Sequence, residues 1–146
     1  MAPLTEAATT RASSRPRLLG PTVVAALVVA GTVALHVRDP HDSGSWGYCP
    51  YKMLTGKDCP GCGSLRAVND LTHGHLVAAA SSNLLFVLMV PVAALMWAGW
   101  ARRSWLGLPT RTRSPGVVRA TWIAAAAVTV VFTVLRNTPW GSWLHS

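Results

Sequence analysis

Leu18 to Val37 reads LLGPTVVAALVVAGTVALHV, twenty residues without a formal charge, and the run stops at Arg38. A helix rises about 1.5 Å per residue, so about 20 apolar residues cross a hydrocarbon layer about 30 Å thick. Leu76 to Ala101 is a second uncharged run, densest after Asn83. Ala120 to Leu135 is a third, held between Arg119 and Arg136 and extended backwards by Val117 and Val118. Buried helices of a soluble bundle would show a polar stripe at helical spacing, and these runs show almost none. The expected fold is therefore an all-α polytopic membrane protein with three transmembrane helices, at about 18–37, 83–101 and 117–135.

Composition agrees. The chain has 146 residues, of which 51% are hydrophobic and only 12% charged, with 13 Lys plus Arg against 5 acidic residues. Such figures exclude a disordered charged tail protein, a coiled coil and a disulfide-dense miniprotein. Residues 1–17, rich in Ala, Thr, Ser and Pro, are expected to form a disordered tail, and 18–146 a single membrane domain. The first run is longer than a signal-peptide core, and its exit at Val33-Ala34-Leu35-His36-Val37 lacks a small-x-small cleavage site. It reads as an uncleaved anchor.

Loop charges set the expected orientation. Arg11, Arg15 and Arg17 precede the first run, and Arg102, Arg103, Arg111, Arg113 and Arg119 fill the loop between the second and third without an acidic partner. In the 38–82 loop, Arg38, Lys52, Lys57 and Arg66 are balanced by Asp39, Asp42, Asp58 and Asp70. The positive-inside rule puts the N-terminus and residues 102–119 in the cytoplasm and residues 40–75 outside. Trp97, Trp100, Trp105 and Trp122 would then mark one interface, and Trp140 and Trp143 the other. The basic loop reads as topogenic charge facing anionic lipid, not as a nucleic-acid site. The expected partners are the bilayer itself and another membrane protein or a second copy of the chain.

All three cysteines lie in the outer loop, in Cys49-Pro50 and Cys59-Pro60-Gly61-Cys62-Gly63. Pro and Gly predict tight turns there, and Ser64 is placed to cap a following helix. In that helix Leu65, Val68 and Leu71 share one side and Arg66, Asn69, Asp70 and His73 the other, with Gly74 as the stop. This spacing predicts a short amphipathic helix lying on the membrane surface. Arg66 and Asp70 are four apart and so placed to pair.

These motifs resemble a bacterial family of small membrane proteins called domain of unknown function 2752. The residues that carry the resemblance are Cys49-Pro50, Leu54-Thr55-Gly56, Cys59-Pro60-Gly61-Cys62-Gly63, Arg66, Gly74 and Asn83, within roughly 46–100. Leu84 stands where the family pattern has Pro. The resemblance implies a membrane location and no particular activity.

Three uses of the cysteines follow from their chemistry. The first is structural: a disulfide from Cys49 to Cys59 or Cys62 would pin a loop poor in apolar residues. The second is a thiol–disulfide site. A Cys-x-x-Cys pair at a helix entrance lowers a thiol pKa through free backbone N–H groups; Arg66 would add positive charge and Cys49 would resolve. The third is zinc held by Cys49, Cys59, Cys62 and His73 or His75. No ionisable residue sits mid-span, as a pump would need. Arg136-Asn137 could reach the cysteine loop, with headgroup anchoring as the default. The leading expectation is a non-catalytic membrane module without a cofactor; a membrane thiol–disulfide oxidoreductase and a structural zinc loop are the alternatives.

Overall fold

A computed structural model describes residues 18–42, 44–109 and 112–144. The expected tail at 1–17 lies outside the described residues, as does Arg111. The described residues are helical, with no strand among them. Five α-helices run in chain order: α1 Leu19–Val37, α2 Pro50–Thr55, α3 Ser64–Thr72, α4 Leu76–Trp105 and α5 Pro115–Arg136, followed by a 3-10 turn at Pro139–Leu144. Helices α1, α4 and α5 are long and apolar enough to cross a membrane. Their side chains are mostly exposed to the surroundings, as a lipid-facing surface requires.

The helix ends follow local chemistry. Pro50 and Pro115 stand in the first turns of α2 and α5, where a missing N–H costs nothing. Ser114 caps α5 by accepting from the N–H of Val117. Gly74 ends α3 in the left-handed region at φ +79°, while His75 N–H reaches Asp70 O at 2.8 Å and Gly74 N–H reaches Leu71 O at 3.1 Å. That pair of bonds is the Schellman closure, and glycine makes it free of strain.

Two sequence expectations need correction here, the Ser64 cap and the Arg66–Asp70 pair. Ser64 does not cap α3: Gly63 holds that position with φ +78° and no side-chain bond, and the Ser64 hydroxyl instead accepts from Asn83 at 3.1 Å. Arg66 and Asp70 form no ion pair. Asp70 accepts from Ser82 at 3.1 Å and faces His41 Nε2 at 3.5 Å. Pro91 sits inside α4 without breaking its dihedrals, and the departure falls at Asn83 (φ −162°, ψ 92°). Asn83 is the true cap of the spanning part, because its Oδ1 accepts from Phe86 N–H at 2.9 Å.

Helix α3 lies across one end of the spans and packs on α1 and α4. Its amphipathic pattern is present, but the buried side is the polar one. Ala67, Asn69 and Asp70 are buried, while Leu65 is 44% exposed. The reason is that α3 meets helix ends, whose free carbonyls want donors. Asn69 Nδ2 donates to Leu35 O at 2.7 Å, and Thr72 Oγ1 meets His36 Nδ1 at 3.0 Å. His36 and His73 stack with centroids 4.3 Å apart. The opposite end is held by a lighter tie, Trp97 Nε1 to Pro21 O at 3.1 Å.

Candidate functional site: a three-thiol centre

The cysteines converge at the end of the molecule where α3 sits. Cys49 precedes α2, which Gly56 terminates in the left-handed region at φ +67°. The chain then returns through Asp58 to the Cys59–Cys62 turn, closed by Cys62 N–H on Cys59 O at 3.1 Å. Cys59 Sγ lies 3.5 Å from Cys49 Sγ and 2.9 Å from Cys62 Sγ. All three sulfurs fall within 4.8 Å of one another. They are free thiols, so neither expected pairing from Cys49 forms a disulfide in the structure. The Cys59 N–H points at Cys62 Sγ from 3.3 Å.

The thiols are not equivalent. Cys62 is buried, at 8% exposure, and burial with Cys59 as neighbour pushes its pKa up to about 12. Cys49 is half-buried, and the backbone N–H of Lys52 in the first turn of α2, with Cys59 and Cys62 adding to it, holds its pKa below the usual thiol value. The expectation that the helix-entrance thiol is the acidic one is therefore reversed. Proximity to a helix start loses to desolvation at Cys62, and the shorter α2 does the activating.

A polar network fixes the loop behind the sulfurs. Arg136, 0% exposed at the end of α5, donates from Nη1 to Cys62 O at 2.8 Å and from Nη2 to Ser82 O at 3.2 Å. Its Nε faces the Asp58 carboxylate at 3.6 Å, and Lys52 Nζ meets the other carboxylate oxygen at 2.9 Å. Asp58 is only 2% exposed. One buried carboxylate thus lies between two cations beside the cysteine loop. Asn137 clasps the Asp58 backbone from both sides, accepting from its N–H at 3.0 Å and donating to its C=O at 2.8 Å. Asn83, 1% exposed, donates to Pro60 O at 2.9 Å, Cys62 O at 3.0 Å and Ser64 Oγ.

Arg136 and Asn137 thus reach the cysteine loop, and the default of headgroup anchoring is overturned. Sequence reasoning counted Asp58 only among the loop charges and gave it no place at the site. Its signal was indirect: an acid beside a cysteine, with Lys52 six residues upstream. Of the candidate zinc ligands, the three cysteines are brought together. His73 is not among them, since its Nδ1 meets Asn69 O at 2.8 Å and its ring stacks on His36. His75 lies beyond His73, with ring centroids 6.2 Å apart. Arg66 lines a cleft of about 520 Å³ that also contains Cys49 and Cys62.

No curated protein and no solved structure matches the chain. Residues 49–97, which begin at the first cysteine and end within α4, match the family described as "Protein of unknown function (DUF2752)". Through that stretch, which carries all three thiols and the start of a spanning helix, the chain is similar to the DUF2752 family.

Proposed function

We propose that the protein is a multi-pass membrane module whose extracytoplasmic head binds a thiophilic metal ion of the zinc class through Cys49, Cys59 and Cys62. The observation that carries this reading is the gathering of three thiol sulfurs within 4.8 Å with no disulfide among them. Tetrahedral zinc with bonds of about 2.3 Å places its sulfurs about 3.8 Å apart; the separations of 3.5 and 2.9 Å from Cys59 are shorter than that and longer than a disulfide bond. A disulfide needs about 2.05 Å. Zinc with three thiolates carries one net negative charge, and the Arg136 and Lys52 cations stand beside the cysteine loop that would hold it.

The outward orientation rests on loop charge. Helix α3, the cysteine loop and the C-terminal end of α5 gather at one end, while Arg102, Arg103, Arg113 and Arg119 flank the helix ends opposite. Purified wild-type protein should contain about one zinc-class ion per chain, and Cys62→Ser should lose it while the spans remain folded. Absence of metal in a protein purified without chelator and then supplied with zinc would end this reading.

A second reading is favoured by one feature: Cys59 stands between the other two sulfurs. The Cys49 thiolate would attack a partner's disulfide, forming a mixed disulfide and releasing one partner thiolate. Cys59 would then attack the Cys49 sulfur, closing a Cys49–Cys59 disulfide and releasing the second partner thiol. Two thiols here are oxidised and one partner disulfide reduced. Stoichiometric thiol release from a disulfide-bonded peptide, by protein without metal, would favour this exchange.

A further inference from the structure

We infer that the cleft beside the sulfurs receives a small anionic thiol as the fourth ligand of the bound metal, an inference that rests on the metal reading above. The back of the centre is closed. Arg136 and Asn83 occupy the carbonyls of Pro60, Cys62 and Ser82, and among the described residues no carboxylate or imidazole joins the three sulfurs. Among the described residues, the fourth position of a tetrahedral ion is thus left unfilled.

The front is open. Cys49 and Cys62 stand in the wall of the 520 Å³ cleft, together with Trp46, Tyr48, Lys52 and Arg66. That volume is within the range of small-molecule sites, about 300–1,000 Å³, and far above the roughly 30 Å³ share of one water. The aromatic rings give it an apolar face; the Trp46 N–H is already committed to Arg38 O at 3.0 Å. Charge selects the ligand. Lys52 shares Asp58, whereas Arg66 has no ion pair among the described residues, and one carboxylate, Asp42, also lines the cleft. Arg66 is free to take a carboxylate on the incoming molecule through charge-assisted hydrogen bonds. A soft metal already bound by thiolates favours another thiolate. The thiol loses its proton to solvent as its sulfur enters the coordination sphere, with no change of oxidation state.

The test uses the full chain in detergent, loaded with cobalt(II) in place of zinc, with mercaptoacetate as the probe. Addition should raise the sulfur-to-cobalt absorption by about one third, as three thiolates become four. Neutral 2-mercaptoethanol should bind about tenfold more weakly. Arg66→Gln should abolish that preference without altering cobalt affinity, and Arg66→Lys should keep most of it. A cobalt-loaded protein whose spectrum mercaptoacetate leaves unchanged overturns the inference while the metal reading stands. So does equal affinity for the two thiols. A protein that shows no cobalt bands before any thiol is added refutes both readings, at a step that identifies the metal as the failure.

Discussion

Arg136, the last residue of α5, donates to the carbonyl of Cys62 at 2.8 Å and so joins two positions 74 residues apart. The bond ties the third span to the thiol loop, and it is made by a side chain with no exposed surface. Burial of a guanidinium is tolerable only with partners, and Asp58 with three carbonyls provides them.

Removing that cation should be costly. Arg136→Gln strands the buried Asp58 carboxylate on one side and is expected to destabilise the head by about 3–5 kcal/mol. Arg136→Lys should rescue little, because a point charge cannot serve Cys62, Ser82 and Asp58 at once. Chemical unfolding in detergent, read with thiol accessibility at Cys62, checks both. Equal stability of Arg136→Gln and wild type would show that the network is dispensable.

Asn83 offers a finer test, because its two ends do different work. Asn83→Ala loses the donors to Pro60, Cys62 and Ser64 and also the cap on Phe86, at an expected cost of about 2 kcal/mol or more. Asn83→Asp keeps the cap but sets a carboxylate against two carbonyl oxygens. It should destabilise more than alanine does, in thermal unfolding followed by near-ultraviolet circular dichroism. The reverse order would mean that capping outweighs the loop bonds.

Gly141 is constrained by contact. A Cβ there would collide with the backbone of Leu135 and crowd Arg136, which cannot yield as a side-chain tip could. Gly141→Ala is expected to cost on the order of 1–3 kcal/mol and to loosen the 3-10 turn from α5. Gly31→Ala in α1 meets nothing within 4 Å and should be neutral or stabilising. Comparable losses in the two variants would refute the contact argument.

The spans were legible in the sequence because membrane crossing is a matter of apolar length, and length can be read locally. The amphipathic pattern of α3 was legible for the same reason. Which side of α3 turns inward was not. Asn69 and Asp70 become buriable only through Leu35 O, Ser82 and His41, all remote in the chain. The cysteines could be recognised as one cluster from their motif. Asp58 and Arg136 could not be joined to it, since their pairing depends on how α5 meets the loop. The roles of Cys49 and Cys62 also escaped, because desolvation is a property of the folded surroundings.

Orientation can be tested independently of the thiol chemistry. Single reporters, Ser43→Cys and Ser114→Cys, in a chain whose native cysteines are replaced by Ser, should differ towards an impermeant maleimide applied to intact cells. The account expects labelling at position 43 and protection at 114. Labelling at 114 alone would invert the topology and remove the oxidising setting from around the thiols.

The central claim is tested most directly by counting thiols against metal. Protein purified without chelator is alkylated before any reduction, and its mass and metal content are measured, then measured again after chelation. The account predicts about one zinc-class ion per chain, three cysteines protected at first, and all three alkylated once the ion is removed. Three thiols alkylated at the outset without metal would contradict it, as would one free thiol beside two released only by reductant.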